Sequence, residues 1–110
     1  MSQKKDIKII IENVKLWVKN EQSKYNNLMN TEVITDESNV YRVILHISPY
    51  MAQIVIDEQD FTPYNNIAFE ILEMKNGKVN MLYSWYDNEK DDINSIIEHL
   101  NTGLHMALFD

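Results

Sequence analysis

The sequence predicts one α+β domain over residues 1–110: an N-terminal helix, a four- to five-stranded antiparallel meander sheet and a C-terminal helix, with both helices on one sheet face. Three observations carry this expectation. Apolar residues recur at steps of three and four near both ends of the chain. Between those ends the period falls to two. Two of the alternating runs are joined by Asn76-Gly77, the pair best suited to a two-residue hairpin turn.

The first helix is read over 5–29, where Ile7, Ile10, Ile11, Val14, Trp17, Val18, Tyr25 and Leu28 line one side and Lys8, Glu12, Lys15, Lys19 and Lys24 fall largely elsewhere. A short strand around Val33 follows. Tyr41, Val43, Leu45 and Ile47 then alternate with Val40, Arg42, Ile44 and His46, and Pro49 forces a turn. The alternation resumes over 51–58, and 59–66 reads as a loop with Asp60, Pro63 and Asn65-Asn66. A tight turn at Asn76-Gly77 sets Met74 opposite Val79 and Leu72 opposite Met81. The same register places Glu70 opposite Tyr83 and Ala68 opposite Trp85. Both faces of the hairpin are then substantially apolar. Two helices cover one face, so the other is either closed by strong coiling of the sheet or used as an interface, most simply in a homodimer. Asp87 or Asn88 is the expected cap of the last helix, with Glu89, Asp91 and Asp92 in its first turn. Gly103 either ends that helix near Thr102 or lets it approach the sheet closely.

Charge narrows the function classes. Ten basic against 17 acidic residues give −7, and the basic ones cluster early: residues 1–29 hold six lysines and three acids, leaving the rest at −10. Such a body repels nucleic acid and anionic membrane, and suits a basic protein partner. No stretch is apolar enough to span a bilayer. The segment Met1–Asp6 has no signal-peptide core, which predicts a cytoplasmic protein. Cysteine is absent, so no disulfide, thiol nucleophile or cysteine-ligated zinc is expected.

Motifs for chemistry are few. Gly77 and Gly103 are the only glycines, which excludes glycine-rich phosphate loops. His99 and His105 are six apart, the wrong spacing for two ligands on one helix face. The acidic runs at 57–60 and 87–92 lack the glycine and spacing of a calcium loop. No cofactor or metal is expected. Glu70, mid-strand among apolar neighbours, is the one candidate for a perturbed acid, set against the plainer reading of a solvent-facing strand residue.

The hairpin Ile67-Ala68-Phe69-Glu70-Ile71, Asn76-Gly77-Lys78 and Tyr83-Ser84-Trp85-Tyr86-Asp87, followed by an acidic helix start, resembles the small acidic immunity proteins that bacteria pair with toxins. The resemblance lies in overall plan and composition. It implies a non-enzymatic inhibitor that covers a toxin's active site with acidic groups. Charge would come from Asp57, Glu58, Asp60, Asp87, Glu89, Asp91 and Asp92, and anchoring contact from Tyr64, Tyr83 and Tyr86. A secretion-chaperone-like dimer holding a client segment is similar in size, charge and element order. It departs from this chain by having a helix between the middle strands. A small ligand-binding or enzymatic domain built on Glu70, Tyr83 and His46 is the third reading.

Overall fold

In the computed structural model, which describes residues 6–57 and 66–109, Asp6 caps the first helix. Its side chain accepts from the Lys8 N–H at 3.0 Å, and its carbonyl takes the first helical bond from Ile10. Helix α1 (Ile7–Lys24) then presents Ile10, Ile11, Val14, Trp17 and Val18 as one buried stripe; it stops short of the expected 29 because the chain turns at Tyr25, whose carbonyl accepts from the Leu28 and Met29 N–H groups, and Leu28 is left exposed. The strands follow in chain order as β1 (Asn30–Asp36), β2 (Val40–Ile47), β3 (Tyr50–Asp57), β4 (Ile67–Lys75) and β5 (Lys78–Tyr86). Each pairs antiparallel with the next, giving one meander sheet ordered β1-β2-β3-β4-β5. Helix α2 (Ile93–Phe109) closes the layout, which is the α+β architecture expected.

One sheet face holds the core. Val43 and Leu45 of β2, Ala52, Ile54 and Ile56 of β3, and Ile67, Phe69 and Ile71 of β4 are fully buried against both helices. Each such isoleucine, leucine or phenylalanine contributes roughly 1.5–3 kcal/mol through area removed from water. The helices lie side by side and parallel. Asp6, Ile9 and Ile10 adjoin Asp92 and Ile93; further along, Trp17 Nε1 donates to Asn101 Oδ1 at 2.8 Å, and Tyr25 meets Phe109 edge-on. Topology requires this direction. Five strands are an odd number, so β1 and β5 run the same way and both helices run against them.

Local signals place the remaining turns. Asn76 and Gly77 both have positive φ (53° and 74°), so the β4–β5 hairpin turns where the sequence says it should. Ser48 and Pro49 form the β2–β3 turn. Gly103 does not end α2, which continues to Phe109. It lies directly over the Phe69 and Tyr83 rings, the close approach that was the other expectation. The α2 cap differs from expectation. Asp92, and neither Asp87 nor Asn88, is the N-cap: its Oδ1 accepts from the Ser95 N–H at 2.8 Å and its carbonyl from Ile96. Glu89 and Asp91 therefore precede the helix instead of occupying its first turn.

Tyr41 gives the fold an alkaline limit. Burial, with the Asp36 carboxylate as the lesser cause, pushes its phenol from 10.0 up to about 12. The folded chain thus holds this proton more tightly than the unfolded chain. Its stabilising effect is complete below the unfolded value of 10.0 and is lost as pH rises through about 12. Denaturant unfolding at stepped alkaline pH should show the decline. Tyr41→Phe should flatten it, leaving only the part due to Tyr83, whose phenol burial also raises.

Candidate functional site

The strand order gathers acidic segments that are far apart in sequence. Asp57 ends β3, and the Asp57 N–H donates to the Asn66 carbonyl at 2.9 Å. From the far side of β4, Asp87 Oδ1 accepts from the Asn66 and Ile67 N–H groups at 2.8 and 2.9 Å. The Asp57 and Asp87–Asp92 segments therefore flank one short stretch of backbone. The same end carries the last residues of β1, Asp36 and Glu37, which adjoin the start of α1. Both helix N-termini point to this end, and their partial positive charge offsets the gathered carboxylates. Lys8 and Lys90 also lie at this end and Lys15 pairs with Asp36 at 2.9 Å, but the carboxylates remain in excess; Lys24, Lys75 and Lys78 lie at the opposite end, with Glu21 and Glu73.

Within the acidic pole the candidate residues do different things. Asp87 is only 1% exposed and its carboxylate is spent on backbone amides, so it offers nothing to a partner. Asp91 accepts from the Asn88 N–H and the Ser95 hydroxyl, and Asp92 caps α2. Glu89 is exposed on the connecting turn, and Asp57 is half-buried. Glu58, Asp60 and Tyr64 lie outside the described residues.

The second sheet face is left open by both helices. Its rows read directly from the register. Thr35, Arg42, Val55, Ala68 and Tyr86 form one row across the five strands. Glu32, Ile44, Gln53, Glu70 and Ser84 form the next. Asn30, His46, Met51, Leu72 and Met81 form the third, with Met74 and Val79 beyond it at the hairpin end. His46 Nε2 lies 2.8 Å from Glu32 Oε1, and the Tyr86 hydroxyl donates to Glu70 Oε2 at 2.8 Å.

A bulge corrects the expected pairing here. The hairpin keeps the turn-defined register only as far as Leu72 opposite Met81. Leu82 is then an extra residue, and Ile71 pairs with Tyr83, Glu70 with Ser84 and Ala68 with Tyr86. One inserted residue flips every later side chain on β5. Tyr83 and Trp85 therefore point at α2. The Tyr83 ring meets Phe69 edge-on, with ring centres 5.7 Å apart, and Trp85 stacks on His99 at 4.4 Å. Tyr86, in contrast, stands on the open face, 40% exposed.

The flip separates the residues of the small-enzyme reading. Glu70 and Tyr83 lie on opposite faces of the sheet, and His46 is held by Glu32 on the first strand pair. Glu70 is half-buried; the buried acids among the described residues are Glu21 and Asp87. Sequence reasoning missed Glu21, which continues the buried stripe of α1, with Oε2 3.8 Å from Lys24 Nζ. The spacing from Val14, Trp17 and Val18 was the available signal. A groove of about 510 Å³ runs between α1 and β1, lined by Leu16, Val18, Val33 and Tyr41 with Lys15 and Lys19 at its rim, and contains none of the three enzyme candidates. Among the described residues no group of three His, Cys, Asp or Glu side chains could hold a metal ion, and no helix is long and apolar enough to cross a membrane. Comparison of the chain with protein-family models, with curated proteins and with solved structures finds no match.

Proposed function

We propose that this chain is a non-enzymatic protein-binding domain, an inhibitor of the immunity-protein kind, that neutralises a basic protein partner through the acidic pole of its sheet. One observation carries the reading: Asp57 and the Asp87–Asp92 segment, thirty residues apart in sequence, converge on the Asn66–Ile67 backbone, at the end where both helix N-termini and Glu37 also lie. Concentrated like charge steers an oppositely charged protein and sets the orientation in which it docks. The internal bonds of Asp87, Asp91 and Asp92 fix the connection between β5 and α2, so the exposed Glu89 is presented on a preorganised turn. The −7 charge of the whole chain extends that field.

The test uses the product of the neighbouring reading frame in the native host. Co-expression should give a complex in which that protein's activity is suppressed. Affinity should fall as salt is raised, and Glu37→Lys combined with Glu89→Lys should weaken it by about tenfold at low salt. Binding indifferent to salt and to the double reversal, or turnover of a substrate by the isolated chain, would overturn the reading.

A further inference from the structure

The helix side of the sheet is not wholly covered. Thr31, Val33 and Asp36 pair with Leu45, Val43 and Tyr41, so they belong to the core face, yet β1 is an edge strand and α1 leaves them partly uncovered. Val33 is 51% exposed, and Leu16 of α1, which lines the same groove, 57%. The groove between these elements, about 510 Å³, is of small-molecule size. A cross-link bounds it at each end. Lys15 Nζ meets Asp36 Oδ1 at 2.9 Å, and the Thr31 hydroxyl donates to Gln22 Oε1 at 2.6 Å. On the far side of the Lys15–Asp36 pair lies a separate, more polar groove lined by Lys8, Glu12 and Glu37. From Lys15 to Ser23, helix α1 advances about 12 Å, which sets the usable length.

The lining is apolar apart from a few polar groups, and two of those are unmatched. Lys19 makes no ion pair among the described residues. Tyr41 is only 2% exposed, and its hydroxyl makes no hydrogen bond among them. Buried polar groups nearly always have a hydrogen-bond partner, so this phenol suits one brought from outside the chain. Their placement orders a ligand. Tyr41 stands beside Asp36 on the neighbouring strand, and that carboxylate bars an anion from its end while admitting a neutral oxygen. One helical turn past Lys15, Lys19 is the place for a single negative charge. A peptide strand is a poorer occupant: the β1 register breaks at Ile34, and Glu32 and Asp36 charge the strand, features that blunt edges against pairing. A longer segment would also have to displace both end cross-links.

We propose that the α1–β1 groove binds a medium-chain carboxylic acid that carries a neutral oxygen at its far end, such as an ω-hydroxy acid. Its carboxylate pairs with Lys19, its alkyl chain lies on Leu16, Val18 and Val33, and its distal oxygen accepts from the Tyr41 hydroxyl. The site goes beyond the proposed function and does not rest on it, since it shares no residue with the acidic segments at 57 and 87–92. Titration of the full chain with ω-hydroxyoctanoate, followed by amide NMR, should give saturable shifts centred on Leu16, Lys19, Thr31 and Val33. Octyltrimethylammonium should bind at least about tenfold more weakly, and Lys19→Glu should weaken the acid by about tenfold. Octanoate should bind about fivefold more weakly than the hydroxy acid, and Tyr41→Phe should erase that difference. Leu16→Asp, at an exposed position, should abolish binding while circular dichroism matches the parent. Absence of saturable shifts overturns the inference. So does equal binding of the cation, survival of binding in Leu16→Asp, or shifts spread over the open sheet face, each of which marks adsorption of an amphiphile without a site. Equal affinity for octanoate and the hydroxy acid overturns the role of Tyr41. An acidic peptide that shifts the β1 amides where the acid does not would assign the groove to an added strand and overturn the small-molecule site.

Discussion

Asp87→Ala should destabilise the chain by about 3 kcal/mol, measured as a lowered midpoint of urea unfolding with an unchanged slope. The carboxylate is buried, and one oxygen accepts two amide bonds, from Asn66 and Ile67, at 2.8 and 2.9 Å. The Asp87 N–H in turn donates to the Ile67 carbonyl at 3.2 Å, so side chain and backbone together tie the end of β5 to the start of β4. Hydrogen bonds to an ionised acceptor are the strong kind, and alanine would leave two buried donors with no acceptor. Asp87→Asn separates charge from geometry. Its amide oxygen can take both bonds as a neutral acceptor, and the loss should shrink to about 1 kcal/mol. An Asp87→Ala variant within about 0.5 kcal/mol of the parent would show that the strand end is held by something else.

Gly103→Leu should cost about 3 kcal/mol or more, and Gly103→Ala about 2 kcal/mol, even though helix propensity alone favours alanine by about 1 kcal/mol. The opposed signs make the alanine variant the sharper measurement. A Cβ at this position would run into Phe69 Cε2 and come within 2.9 Å of Tyr83 Cδ1. Neither ring can yield easily: Phe69 is fully buried, and Tyr83 is packed edge-on against it. α2 must therefore lift from the sheet, and the leucine side chain would lift it further. A domain of this size should lose roughly 4–8 °C in midpoint per kcal/mol. Phe69→Leu makes room on the other side of the contact, so the pair should cost less than the sum of the two single changes. Thermal stabilisation by Gly103→Ala would refute the close approach.

The architecture was legible because each element is written in its own period. The α1 stripe, the alternation in β2 and β3 and the Asn76-Gly77 turn are all local, and the folded chain uses each as its residues suggest. The β5 bulge was not legible. An extra residue at Leu82 leaves no mark on composition, because Leu82, Tyr83 and Trp85 suit either face; only packing against Gly103 and His99 decides which way they turn. The α2 cap failed for a related reason. Asp87, Asn88, Asp91 and Asp92 are all able caps by type, and Asp87 is withdrawn from the choice by amides on another strand. The acidic pole was half legible: its charges were visible as two runs, whereas the approach of Asp57 to the Asp87–Asp92 segment depends on β3, β4 and β5 being neighbours.

The odd number of strands has a practical consequence for engineering. Because α1 and α2 run the same way, Asp6 and Phe109 stand about one helix length apart, roughly 26 Å for 17 residues at 1.5 Å each. A circular permutant joining those positions would need a bridge of at least about eight extended residues laid along the outside of the helix layer. A tag fused beyond Phe109 would project from the end that carries Lys24, Lys75 and Lys78, opposite Asp57 and the Asp87–Asp92 segment.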